Sequence, residues 1–536
     1  MARNIIGKHK FIILFTIAYF ALGLLTYKDY GVTYDERVEY DAGKYLLTYL
    51  KLPTAFEYVE QLINNRPVNI EHRQLPLLSE YSRVYPALLN LLNPNYYFEW
   101  FHLQNIFFGY FLFFFAYLLF YLVYKNGIKA MVGPVLLFFT PVLLGHVPAN
   151  PKDIPFATVY LLGILALSYF RGRTGSDPVR PLPVEILALG LIFGAAQSLR
   201  TVGITLFVSY ALLEMLEAIQ ARKAATAINC GVKLTVILLV SAFVWILFVP
   251  FLGANFFANA AYTLTNAAGF KSWDYEVFYL GKYLLKDQRP WHYLFGYLAV
   301  NLPVLELAAL AAGAILIAKK KLKFAKNHPI NIIALTLLIN TAIYLALHPV
   351  VYNGIRHFLY LVAELVLVSG FFLIEMFDTL AKKAKPVMLM GAATYLLFTI
   401  VRMIHLHPYE YIYYNEFVGG IKGAENLFEL DYWGAAYKES AQYVLKVVKE
   451  NDLKNIKVYA CDNQFAVVYY SQFQYSLVAR SRDADVIICD TFKEKLRALQ
   501  GRDFYRDSHP IVRTIQREGT SIHNIRARQE LKELFM

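Results

Sequence analysis

Apolar runs long enough to cross a bilayer recur along the chain, separated by short polar turns. A helix needs about 20 apolar residues for that crossing. The pattern predicts eleven spans, near 10–27, 101–124, 130–146, 154–170, 182–198, 201–219, 233–252, 292–318, 329–348, 357–378 and 386–404. Two long polar segments interrupt it, at 28–100 and 253–291. In the first, Tyr34, Val38, Ala42, Tyr45, Leu46 and Tyr49 recur at helical spacing, predicting an interfacial helix over 34–50 with those residues on its apolar face. The second carries Phe256, Phe257, Tyr262, Trp273 and Tyr275, and such rings favour the headgroup zone. Beyond residue 404 the runs shorten. Residues 456–460, 466–470 and 485–489 read as strands, with helices at 436–450 and 491–499. The expected architecture is a helical polytopic membrane domain, 1–404, followed by a small soluble α/β domain, 405–536.

Composition agrees. Of 536 residues, 57% are hydrophobic and only 17% charged, where a soluble protein would be nearer a quarter charged. The net charge of +12 is no nucleic-acid footprint, because the basic residues sit at the tips of turns between spans. With the N-terminus inside, the inner segments carry 19 Lys and Arg; the three short outer turns carry only Lys152, Arg200 and Arg356. That asymmetry predicts a multi-pass cell (inner) membrane protein, N-terminus cytoplasmic and C-terminal domain outside. The first run lacks a small-residue cleavage site and reads as a retained span. Three cysteines exclude a disulfide scaffold. Cys461 and Cys489 each end a predicted strand, so a single bridge is within reach if those strands are neighbours, and free buried thiols fit as well.

Candidate chemistry gathers at the outer ends of the spans. Asp35 and Glu36 follow the first span closely. Thr33-x-x-Glu36 is also a capping box, which accounts for Glu36 but not for Asp35. In the turn at 146–155, Asp153 reads as a helix cap, while Lys152 beside a helix N-terminus suits a phosphate. Arg200 and Arg356 are either interfacial anchors or partners of Lys152 on an anionic headgroup, a task that suits the guanidinium fork. His357 is a donor or interfacial filler. Walker-type glycine loops, HExxH and CxxC are all missing from the sequence.

An Asp-Glu pair after the first span, a Lys-Asp turn before the fourth and an Arg-His element at an outer helix start resemble the GT-C glycosyltransferases. The resemblance is to the family 39 protein O-mannosyltransferases and the lipid A aminoarabinose transferases. The segments His407-Pro408-Tyr409-Glu410-Tyr411-Ile412-Tyr413-Tyr414-Asn415-Glu416-Phe417-Val418-Gly419-Gly420 and Phe428-Glu429-Leu430-Asp431-Tyr432-Trp433-Gly434 resemble a bacterial branch. That resemblance implies a polyprenyl-phosphate sugar donor, a lipid, glycan or protein acceptor, and inverting transfer on the outer face. It makes Asp35 the base or acceptor-positioning residue, with Glu36 beside it. Asp153 matches the acidic residue of the second outer loop by its place in the topology. Arg356 matches the arginine on the donor phosphate, with His357 where a tyrosine often stands. Some members hold a divalent metal near such carboxylates and others do not; Asp35 and Asp153 are the ligands it would take here. Polyprenyl phosphate leaves readily, so one carboxylate and several cations suffice, whereas hydrolysis uses two carboxylates. The alternatives are a polysaccharide ligase or polymerase and a transporter. A transporter needs ionisable groups at mid-bilayer, and the spans here are clean apart from Glu214, Glu217, Glu306 and Glu364.

Overall fold

The computed structural model describes residues 2–49, 82–93, 97–173, 183–268, 276–325, 328–472, 474–501 and 508–536. Trp273, Tyr275 and residues 50–81 of the first long segment lie outside this set. Eight described helices are long and apolar enough to cross a membrane: Gly7–Thr26, Phe98–Tyr124, Asp153–Gly172, Thr201–Ala221, Ala224–Phe248, Pro329–Leu347, Arg356–Thr379 and Lys385–Leu406. The other three predicted spans are also apolar helix, but short or broken. Pro183–Leu199 has 17 residues. The span expected at 130–146 is instead three short helices, Gly127–Ala130, Val132–Phe138 and Pro141–His146. Pro141 lacks the amide that would continue the ladder.

The span expected at 292–318 is bent by 113° between Tyr293–Asn301 and Val304–Ala318. Pro303 follows the break, and the freed carbonyls need donors. Asn415 supplies them: its side-chain amide donates to Ala299 O at 2.7 Å and Leu302 O at 2.8 Å, and its backbone amide to Val300 O at 2.8 Å. The Tyr-rich stretch after the last span is thus packed into the membrane domain, with Tyr409, Tyr411, Tyr413 and Tyr414 all buried. Of the four acidic residues expected within spans, Glu214 and Glu217 pair with Arg171 and Lys233, Glu364 accepts from Thr336 at 2.6 Å, and Glu306 is buried.

The interfacial helix is Tyr34–Tyr49, and its buried face is the predicted one only in part: Ala42 and Leu46 are buried as expected, but the face is turned. Val38 is exposed, while Glu36, Glu39, Tyr40 and Leu47 are buried. The helix Val84–Leu91 explains the rotation. It approaches Gly43 so closely that an added Cβ would sit 2.6 Å from Pro86 C, and Arg83 before it pairs with Glu39.

The C-terminal domain holds a five-stranded sheet. Strands β1 (Val277–Tyr279) and β2 (Lys282–Leu284) form a separate hairpin in the second long segment. The sheet comprises β3 (Lys457–Ala460), β4 (Ser476–Leu477), β5 (Val486–Asp490), β6 (Ile511–Arg517) and β7 (Thr520–Ala527), in the order β4-β3-β5-β7-β6. β3 runs parallel to β4 and β5, and β7 is antiparallel to β5 and β6. A disulfide joins Cys461 to Cys489 across the β3–β5 pair. The strand expected at 466–470 is a helix, Gln464–Ser471. Its β-branched and aromatic run misleads; the Asn463 side chain caps it, and Ala466, Val467 and Tyr470 bury one helical face. Arg402, in the last span, bonds Glu416 and both carboxylate oxygens of Glu518 at the β6–β7 turn, tying the two domains together.

Candidate active site

Two cavities lie on either side of the segment 349–358. One, of about 200 Å³, is lined by Lys152, Arg200 and His357 among apolar and aromatic groups that include Tyr352, Tyr360 and Val351. The other, of about 210 Å³, is lined by Asp35, Glu276, Glu429, Asp431, Asp462 and Asp490, with Lys493 and Asn353. The segment 349–358 separates them, contributing Tyr352 and His357 to the first and Asn353 to the second. Across this divide Arg356 Nη1 holds the Asp35 carboxylate. The Arg356 guanidinium also lies over the rings of Tyr352 (5.0 Å) and Trp433 (5.7 Å), and its Nε has no partner.

Lys152, Arg200 and His357 therefore line one cavity, and Arg356 backs it. Arg200 rests on Asp153 and keeps an unpartnered Nε. Asp153 is itself fixed by Asn150, whose side-chain amide donates to it at 3.1 Å and whose oxygen takes its backbone amide at 2.7 Å. Lys152 lies 3.7 Å from Glu39. Burial pushes its pKa down to about 8, against the pull of Glu39, and an arriving anion would raise it again.

Glu36 is placed differently from the catalytic role first read for it, and lines neither cavity. Its Oε2 accepts the Thr33 amide at 2.8 Å, and its Oε1 lies 3.0 Å from His102 Nε2. That is the Glu36 half of the capping box, fully buried, with the Thr33 hydroxyl donating to the same carboxylate oxygen at 3.3 Å, and burial pushes the Glu36 carboxyl up. Asp153 also lines neither cavity and acts as the counter-charge of Arg200. Among the described residues no group of three or more His, Cys, Asp or Glu side chains is set to hold a metal. Asp35 and Asp153 each face a guanidinium, so these two residues do not fit a divalent ion.

Asp35 is set in place by the C-terminal domain. The Asp431 carboxylate accepts the amides of Gly434, Ala435 and Ala436 at 2.9–3.1 Å, bonds the Tyr411 hydroxyl and lies 2.9 Å from His523. The resulting turn presents Trp433 O to the Tyr34 amide at 3.1 Å, one residue before Asp35. Gly434 has φ +72°, and a Cβ there would meet the Tyr34 ring at 2.7 Å. Asn463 completes the clasp by donating to Val32 O and Gly434 O.

Glu39, Arg83, Glu429, Asp462 and Asp490 were missed in the sequence. Asp462 follows Cys461 and Asp490 follows Cys489, so the repeated Cys-Asp at two strand ends was the available signal. As β3 and β5 are parallel, both carboxylates reach the crevice at the carboxyl edge of the sheet.

No family model matches the sequence, and no curated protein does. Solved structures do match the fold. ArnT from Cupriavidus metallidurans bound to undecaprenyl phosphate aligns with a TM-score of 0.53 at 10% identity, covering 97% of this chain and 98% of that one. Its apo form aligns with a TM-score of 0.52 at 10% identity, covering 98% of each chain. From end to end, the chain thus shares the fold of this protein: a helical membrane domain carrying a small α/β domain.

Proposed function

We propose that the protein is a membrane glycosyltransferase that takes a sugar from a polyprenyl-phosphate donor on the outer face and passes it, with inversion, to an acceptor hydroxyl. The observation that carries this reading is the cationic, aromatic-walled cavity joined to Asp35 through Arg356. Lys152, Arg200 and His357 offer donors to a phosphate, and the apolar wall suits an isoprenoid. The fold shared with a protein crystallised with undecaprenyl phosphate supports the same donor class.

In this scheme the donor phosphate draws Arg356 away from Asp35. A carboxylate held by a guanidinium is a weak base, and its release makes it available. Asp35 then takes the proton of the acceptor hydroxyl as the acceptor oxygen attacks the anomeric carbon. The bond from that carbon to the phosphate oxygen breaks on the opposite side. Its electron pair leaves on polyprenyl phosphate, whose new charge Lys152, Arg200 and Arg356 stabilise. Glu36 and Asp153 act as positioning residues, one for the helix start and one for Arg200.

Purified protein in nanodiscs should bind undecaprenyl phosphate. With a panel of labelled undecaprenyl-phosphate sugars and membranes as the acceptor source, it should release undecaprenyl phosphate and move the label. Movement of intact lipid-sugar across the bilayer without release would instead support transport.

A further inference from the structure

Six carboxylates and one lysine line the acidic cavity. Asp35 is paired with Arg356, and Asp462 with Lys493, whose Nζ lies 3.3 Å from it. Asp431 is taken up by its turn and by His523. The remaining three accept hydrogen bonds from neutral groups. Asp490 takes the Lys493 amide at 2.7 Å and the Tyr437 hydroxyl at 3.2 Å, and partly exposed Glu276 takes the Gln500 side chain at 3.3 Å. Glu429 is 3% exposed. The Phe278 amide of β1 holds its Oε1 at 3.0 Å, and its Oε2, also buried, has no partner among the described residues. A buried carboxylate oxygen with nothing to accept is costly, and Glu429 stands in the wall of a cavity where a ligand could bring it a donor. Burial raises the Glu429 pKa to about 7 and that of Asp490 to about 6; a cation beside them would lower both again.

The charge of the occupant follows from this lining. A phosphate or carboxylate would be repelled. A bare divalent ion needs several oxygens converging on one point, and among the described residues no three of these carboxylates do so. A hydroxyl would satisfy Glu429 Oε2 but leave the negative charge of the cavity as it is. An ammonium brings both N–H donors and positive charge. The lining also shows which substrate carries it. Asp35 lines this cavity and not the cationic one, so the hydroxyl that gives up its proton arrives from this side, across the segment 349–358 from Lys152, Arg200 and His357.

We propose that the acidic cavity is the acceptor subsite and that it selects an acceptor carrying an ammonium group, anchored on Glu429 with its reacting hydroxyl at Asp35. This rests on the transferase reading above and adds to it the acceptor's charge class and the residue that selects it. Glu429 binds the ammonium and takes no part in the proton transfer.

The test measures binding of the methyl glycosides of glucosamine, glucose and glucuronic acid to the full chain in nanodiscs by ligand-observed NMR. The wild type should hold the cationic glucosaminide roughly tenfold or more tighter than the neutral glucoside, the size of one charge-assisted hydrogen bond, and the anionic glucuronide more weakly than either. Glu429→Gln should erase the preference, and Glu276→Gln should lose part of it. Both variants should bind undecaprenyl phosphate as the wild type does, since the lipid phosphate belongs to the other cavity. If Glu429→Gln lost the lipid as well, its fold would be damaged and Glu276→Gln would decide. Equal wild-type affinity for the three glycosides would overturn the proposal, as would a preference that survived both substitutions. Saturating undecaprenyl-phosphate-glucose should leave the glucosaminide bound. Displacement by undecaprenyl-phosphate-4-amino-arabinose but not by the glucose lipid would put the ammonium on the donor sugar and overturn the acceptor assignment. A wild type that preferred the glucosaminide but bound no undecaprenyl lipid would leave the ammonium site standing and remove the donor reading alone.

Discussion

Replacing Asp35 with Asn should pull catalysis and donor binding in opposite directions. The Asp35 side chain is 31% exposed and Arg356 only 3%, so the pair is closed on the arginine side and open on the other. In the resting arrangement Asp35 and the donor phosphate compete for one guanidinium. A charge-assisted hydrogen bond is worth about 1.5–3 kcal/mol. The carboxamide keeps a weaker bond to Arg356, so roughly half of that value returns to the phosphate. Undecaprenyl phosphate should then bind up to about tenfold tighter to Asp35→Asn, since about 1.4 kcal/mol is a factor of ten. Turnover should fall about 10²–10⁴-fold, the usual contribution of a positioned base. Losing the counter-charge of Arg356 should cost about 1–3 kcal/mol of stability, at the low end because water reaches the Asp35 side. Arg356→Ala should do the reverse for the lipid, weakening it by the same bond. The assay pairs lipid binding in nanodiscs with single-turnover release of labelled sugar. If Asp35→Asn lost lipid affinity in step with turnover, Asp35 would merely hold Arg356 in place. If it kept turnover, the base would lie elsewhere, among the other carboxylates that line the same cavity.

Three further outcomes are expected. Gly434→Ala places a Cβ against the Tyr34 ring at φ +72°; it should cost about 1–3 kcal/mol in thermal melts and slow transfer, and wild-type turnover would show that the Asp431 turn does not set Asp35. Burial raises the Glu429 pKa to about 7 from 4.5, so the folded state holds its proton longer than the unfolded one and stability falls as pH rises through that window. Glu429→Gln should remove up to about 3 kcal/mol of that fall, read from melts between pH 5 and 8, and parallel curves for the two proteins would refute it. For orientation, a cysteine replacing exposed Lys454 should react with an impermeant reagent on intact cells, while one replacing exposed Lys320 should not; the reverse would invert the topology.

Much of the membrane domain was legible because apolar length alone locates a span. Each of the eleven expected spans has an apolar helix behind it, yet the breaks at Pro141 and Pro303 were passed over, since a hydropathy run does not register a missing amide. The capping box at Thr33–Glu36 was readable from four residues, whereas the rotation of that helix depends on Arg83 and Pro86, far along the chain. The turn at Glu518-Gly519 between β6 and β7, with both residues at positive φ, was visible as a turn signal but not used. Lys152, Arg200 and His357 were found by sidedness, and the structure lines one cavity with them. Glu429 lay inside the segment 428–434 that carried the family resemblance, but nothing in that window marked it as a cavity carboxylate. Its bond from the Phe278 amide joins residues 151 positions apart, a contact that no sequence window contains.

The clasp on Tyr34 also sets an order of events in time. The ribosome delivers residues 31–36 within the first tenth of the chain, but Trp433, Asp431 and Asn463 arrive only near its end. The bend at Pro303 likewise waits for Asn415. A nascent chain that has not reached these residues therefore lacks the contacts that fix the backbone on either side of Thr33. On the function proposed above, a donor would meet a fully set Asp35 only after residues 431–463 have folded against Val32 and Tyr34, so the last part of the chain to be made is the part that arms the first.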